Sequence, residues 1–244
     1  MIHMKKTVAI IISVFCVLAA ALSVVAHKNG KFQKTPKENS YITNDSLINT
    51  NDPREVVGIK TYVFVGLVED TYDYFQTKQS RDFPQVIKDY EHMAFTECVV
   101  KAVKNIKGNL KEGESFSFYK VGGTSMDGKS IELCENDLIP EKGKYYIFTG
   151  IAHKDGTLTG GGENGTIALE NEINADNLAD SQVYNKYVKA YEEQKTFENS
   201  ANVPYLAKND VNYKNGEYNL SLFEKVQREK MTNESTVEVT GTTN

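Results

Sequence analysis

Hydrophobic and polar positions alternate with a period of two from Phe95 to Gly123, on either side of a charged turn. Before the turn, Thr96, Cys98, Val100 and Ala102 form one small, largely apolar row against Phe95, Glu97, Val99 and Lys101. After it, Phe116 and Phe118 alternate with Ser115, Ser117 and Tyr119. Between the two runs, Lys107-Gly108-Asn109 and Lys111-Glu112-Gly113 supply glycines for positive φ and lysines that discourage edge pairing. The pattern predicts a long hairpin. Upstream, VVGIKTYVFVGLVED from Val56 is apolar on both faces, with Ile59, Val63, Val65 and Leu67 against Tyr62, Phe64 and Val68, as expected of a strand covered on both sides. Downstream, Tyr145 to Ala152 and Leu158 to Leu169 continue the series, joined by a turn at Asp155-Gly156 and interrupted by glycines at 160, 161 and 162. Runs at 57–69, 94–106, 114–121, 144–152 and 157–169 give five strands with no helix between them. That count predicts a mostly β fold, a small five-stranded antiparallel barrel over residues 56–171.

Two segments carry a different period. Asp180 and Ser181 stand as caps ahead of QVYNKYVKAYEEQKTF, where Val183, Tyr187, Ala190, Tyr191 and Gln194 share one helical face. An amphipathic helix over 181–197 is expected to pack on the barrel, within a helical extension spanning 172–225; residues 226–244 read as a disordered tail. At the other end, Lys5 and Lys6 precede the uncharged run from Thr7 to Ala26, so residues 1–26 read as a targeting segment. Twenty residues suffice to span a bilayer, so an uncleaved membrane anchor over 7–26 competes with a signal peptide cleaved after Ala26. Residues 27–55 are Asn-, Ser-, Thr- and Lys-rich and read as a flexible tether. Both alternatives place the bulk of the chain outside the cell, secreted or tethered to its membrane.

A formal net charge of -5 offers no field to attract a polyanion, which argues against nucleic acid as a partner. The polar stretch from Asp70 to Glu91 interleaves Tyr72, Tyr74, Phe75, Phe83 and Tyr90 with charges. Those aromatics form a candidate partner-binding loop, or fold back to cap one end of the barrel. Cys98 and Cys134 fall in the exported part, where pairing as a disulfide and burial as two separate thiols are both open readings.

Short motifs add a resemblance. Tyr62-Val63-Phe64-Val65-Gly66, Thr96-x-Cys98-x-Val100 leading to Ile106-Lys107-Gly108, the strand from Gly113 to Gly122-Gly123, and Gly143-Lys144-Tyr145-Tyr146-Ile147-Phe148 resemble the bacterial netrin/TIMP-like OB-fold proteins. The resemblance covers roughly residues 56–171 and implies an exported five-stranded OB barrel acting as a binding module. The animal metalloproteinase inhibitors of that superfamily begin their mature chain with a cysteine. Cleavage after Ala26 here would expose His27, so that inhibitory mechanism does not carry over.

Catalytic signatures are sparse. His92 and His153 belong to no metal-ligand motif. Gly160-x-Gly162-x-x-Gly165 matches a dinucleotide fingerprint in letters only, because Thr166 to Leu169 reads as strand where the fingerprint needs a helix. No catalytic residue, metal or cofactor is assigned. The sequence favours a non-catalytic interaction module for a protein or a cell-wall glycan, against the alternative of a secreted hydrolase with a cryptic carboxylate pair.

Overall fold

The computed structural model describes residues 38–42, 48–90, 92–195 and 205–214. In chain order these give β1 (Glu38–Ile42), α1 (Pro53–Ile59), β2 (Tyr62–Asp73), α2 (Tyr74–Thr77) and α3 (Gln85–Asp89). Then come β3 (Phe95–Lys107), β4 (Ser115–Val121), β5 (Gly123–Thr124), β6 (Ser130–Cys134), β7 (Tyr145–Ala152), β8 (Leu158–Gly160), β9 (Thr166–Ala168) and α4 (Gln182–Glu192).

Five strands close on themselves in the order β2-β3-β4-β8-β7, with β7 pairing back to β2. Four of the five junctions are antiparallel and one, β4 with β8, is parallel. An odd ring requires this, since strands that alternate in direction cannot close antiparallel around five members. The fully antiparallel expectation is corrected at that one seam. Followed through paired residues from Tyr62 to Gly150, Gly160, Lys120 and Thr96, the ladder returns to β2 at Asp73, about eleven residues further along. So large a stagger tilts the strands steeply and leaves an interior only wide enough for side chains. Beyond β8, β9 pairs with the remaining length of the same β7 edge.

Aromatic rings fill the interior. Phe64 stacks on Phe148 at 5.5 Å between centroids, and Phe118 meets Phe148 at 5.0 Å. Cys98, Val100 and Ala102 line the same space, as their shared strand face predicts. The rings are accommodated by missing side chains elsewhere: a Cβ on Gly66 would lie 2.2 Å from Val100 Cγ1, and one on Gly160 would lie 2.2 Å from Phe118 Cζ. The opposite face of β2 carries Val63 and Val65, which join Ile147, Ile106 and Leu169 beneath Val57, Tyr187 and Ala190 of the helices. Both faces of β2 are therefore buried, as its doubly apolar sequence predicts.

Local sequence explains where the strand expectation fails. Asp52 accepts a hydrogen bond from Arg54 N and Pro53 occupies the first turn, so Pro53–Ile59 becomes α1 and the barrel strand begins only at Tyr62. The segment read as a tether is likewise partly built: Glu38–Ile42 pairs in parallel with β6, from Glu38 opposite Ser130 to Ile42 opposite Cys134. No hydrophobic period announces β1, because the pairing is supplied by a strand more than ninety residues away. Helix α4 starts where expected, with the Ser181 side chain accepting from Tyr184 N, and ends earlier, at Glu192. The proposed targeting segment 1–26 and the tail 226–244 lie outside the described residues.

The segment 205–214 crosses one end of the barrel. Val211 N donates to Asn109 O, Lys111 N to Asn209 O, and Lys208 N to Gly156 O, while Ala207 enters the interior. Its buried anchor is Asp210, which accepts from the Tyr62 hydroxyl at 2.8 Å; the same hydroxyl oxygen accepts from Ala207 N at 3.0 Å.

Candidate functional site

The aromatic residues singled out in the 70–91 stretch divide into buried anchors and surface groups. Tyr74 is wedged by the capping of α2, whose first turn is held by the Asp73 carboxylate accepting from Gln76 N. With Phe83 and Ile87 it packs on Phe95 and Tyr119, residues of the outward row of β3 and β4. Phe83 meets Tyr74 edge-on at 4.9 Å and Tyr119 at 6.1 Å. The insert therefore lies across the outer wall of the barrel instead of capping its end. Tyr72 and Phe75 are half-buried and Tyr90 is exposed.

A polar network fixes the insert further. Glu97, 4% exposed beneath it, accepts from Arg81 Nε at 2.9 Å and from Ser117 Oγ at 2.6 Å. The Arg81 guanidinium lies 3.6 Å from the centre of the Tyr72 ring, and the Lys78 ammonium sits 5.5 Å from that of Phe75. Planar cation and ring thus present one composite surface, set in place before any partner arrives.

A cleft of about 370 Å³ opens beside β9, between Leu138–Ile139 on one side and Leu169 to Asn174 on the other. Three carboxylates line it. Glu170 accepts from Ser181 Oγ at 2.6 Å, Gln182 N at 3.0 Å and Val183 N at 3.2 Å, and these bonds hold its carboxyl below the ordinary glutamate range. Glu141 is paired with Lys144 at 2.8 Å. Glu172 is exposed. Glu141 is exposed as well, and Glu170 is partly open to solvent.

The most unusual polar group lies inside the barrel. Lys120 occupies the inward row after Phe116 and Phe118, and its side chain and that of Asp137 are both 0% exposed. The Lys120 ammonium contacts Asp137 Oδ2 and donates to Val121 O at 2.9 Å. Asp137 Oδ1 accepts from Leu138 N at 2.9 Å. Burial nevertheless pushes Asp137 above its ordinary value. The hydroxyl of Thr166, itself 1% exposed, has no hydrogen-bond partner among the described residues.

Cys98 and Cys134 are buried as two free thiols near this pair, so no disulfide joins them in the structure. Burial pushes Cys98 up to about 12, and Cys134 is raised for the same reason, which suits small apolar residues and not nucleophiles. His153 bonds Thr159 Oγ1 at 2.7 Å, burial holding it below its ordinary value, and His92 is exposed. Among the described residues no group of three or more His, Cys, Asp or Glu could hold a metal ion. Gly160 ends β8, and Gly162 and Gly165 lie on its connection to β9, where Gly161 and Gly162 take φ of 111° and 93°. A strand follows, so the connection lacks the helix N-terminus on which a dinucleotide pyrophosphate sits.

Sequence reasoning missed both the Arg81–Glu97–Ser117 network and the Lys120–Asp137 pair. For the second a signal existed: a lysine continuing an inward, aromatic row demands a buried partner. Among the described residues no helix is long and apolar enough to cross a membrane. The chain matches no family model and no curated protein.

Proposed function

We propose that this chain is an exported, non-catalytic interaction module, built on an OB-like barrel of the netrin/TIMP-like kind and presenting the 74–90 insert to a protein or cell-wall component. The strand order, with its single parallel closure and steep stagger, supports the OB-like reading. The observation that carries the functional reading is the construction of the insert. Tyr74, Phe83 and Ile87 are spent as internal anchors, while the Tyr72–Arg81 stack, Phe75 beside Lys78, and Tyr90 remain at the surface. A surface ordered in advance loses little conformational entropy on binding. Arginine and tyrosine are also the side chains that most often dominate interfaces. The cleft favours binding over hydrolysis in the same sense, since Glu170 caps α4 and Glu141 pairs with Lys144.

The test uses the full chain immobilised and exposed to a cell-surface extract, alongside a Lys78→Ala, Tyr90→Ser variant. Wild type should retain a discrete component that the variant releases. Equal retention by both, or turnover of wall glycan by wild type, would overturn the reading.

A further inference from the structure

We propose that Lys120 and Asp137 become joined by an intramolecular isopeptide bond, the Lys120 Nζ acylated by the side-chain carboxyl of Asp137. The two groups are already in contact and both are wholly shielded from solvent. Enclosure of this kind holds amine and carboxyl at an effective concentration far above any reached in solution. It also excludes the bulk water that would reverse the reaction.

The surroundings are arranged for acyl transfer. Lys120 Nζ addresses Oδ2, while Oδ1 is held by Leu138 N. A backbone N–H on the oxygen that gains charge is one element of an oxyanion hole. In the ion pair, one proton passes from the Lys120 ammonium to Oδ2, leaving a neutral amine and a carboxylic acid. The Nζ lone pair then adds to Cγ, and the tetrahedral oxyanion forms on Oδ1. Collapse breaks the Cγ–Oδ2 bond, and that hydroxyl leaves with one amine proton as water. The product is a secondary amide that keeps Oδ1 as its carbonyl oxygen. No oxidant, reductant or co-reactant is consumed.

A further observation favours condensation over a permanent salt bridge. Burial raises Asp137, which favours the acid form that the reaction needs. A buried ion pair gains little over an apolar pair of similar volume, whereas an amide removes both charges from the interior. The bond would close the loop between β4 and the β6 lobe, whatever the barrel binds.

The decisive measurement is the intact mass of the full chain under denaturing conditions, compared with Lys120→Arg prepared in the same way. Arginine retains the charge and lacks a nucleophilic amine. Wild type should be lighter than its sequence by one water, and digestion should yield a branched peptide linking residues 120 and 137. Lys120→Arg should show the full mass. A wild-type chain without the deficit, or the same deficit in Lys120→Arg, would overturn the proposal. Because covalent mass does not depend on the folding of the variant, the wild-type result is decisive by itself.

Discussion

Tyr62 carries two roles in one side chain. Its ring belongs to the barrel interior, and its hydroxyl ties the crossing segment 205–214 through Asp210 and Ala207 N. Burial beside the Asp210 carboxylate raises its phenol well above the usual range, so the hydroxyl keeps its proton and remains a donor. Tyr62→Phe preserves the ring but removes the donor to Oδ2 of a carboxylate that is 2% exposed, and the acceptor for Ala207 N, leaving Asp210 its bond from Asn212 N. The expected cost is about 1–3 kcal/mol, read as a lower urea midpoint, with faster hydrogen exchange at Val211 and Lys111. Lys107 shows the opposite economy of charge. Its ammonium donates to the Val57 and Gly58 carbonyls at 2.7 and 3.2 Å, at the end of α1, and burial lowers it to about 8. A folded value below the unfolded one, about 10.4, means that the unfolded chain holds more protons between the two. Lys107 therefore adds stability as pH rises from about 8 towards 10. Urea midpoints across that window should climb more steeply in wild type than in Lys107→Met.

At the scale of elements, α4 depends on a carboxylate outside itself. Glu170 receives the first-turn donors Gln182 N and Val183 N together with the Ser181 hydroxyl, placing negative charge at the positive end of the helix. Its carboxyl is lowered from 4.5, so the stability it contributes is present above that value and is lost as pH falls through the folded value. Wild type should lose helical signal and stability below about pH 4.5, and Glu170→Gln should start weaker at neutral pH and lose less on acidification. Ser181 was legible as a cap because a hydroxyl before an amphipathic run is a local signal. Glu170, eleven residues upstream in an apparent strand end, was not. The same division holds for the insert: its aromatics were visible in sequence, but only packing decides that Tyr74 and Phe83 are anchors while Tyr90 is exposed.

Over the whole molecule, the barrel strands were readable wherever alternation is strong, as along Cys98, Val100 and Ala102, because a narrow barrel imposes that period directly. Closure was not readable, since the pairing of Phe118 with Leu158 and of Lys120 with Gly160 links strands that no local pattern connects. The same limit hid β1, whose sequence ENSYI is polar and whose place is fixed by β6. It also hid Asp137, which reads as an ordinary loop acid until the barrel brings Lys120 beneath it.

The pairing of β1 has a mechanical consequence. Glu38 lies opposite Ser130 and Ile42 opposite Cys134, so the two strands run the same way. A pull on the chain from its amino-terminal side enters at Glu38, whereas β6 leads onward to the barrel from its Cys134 end. The load and its anchorage then sit at opposite ends of a five-residue ladder, and its hydrogen bonds are stressed together in shear rather than opened singly like a zip. A protein held by its amino-terminal side against flow would meet that drag first at this small ladder, with the barrel behind it spared until the ladder slides.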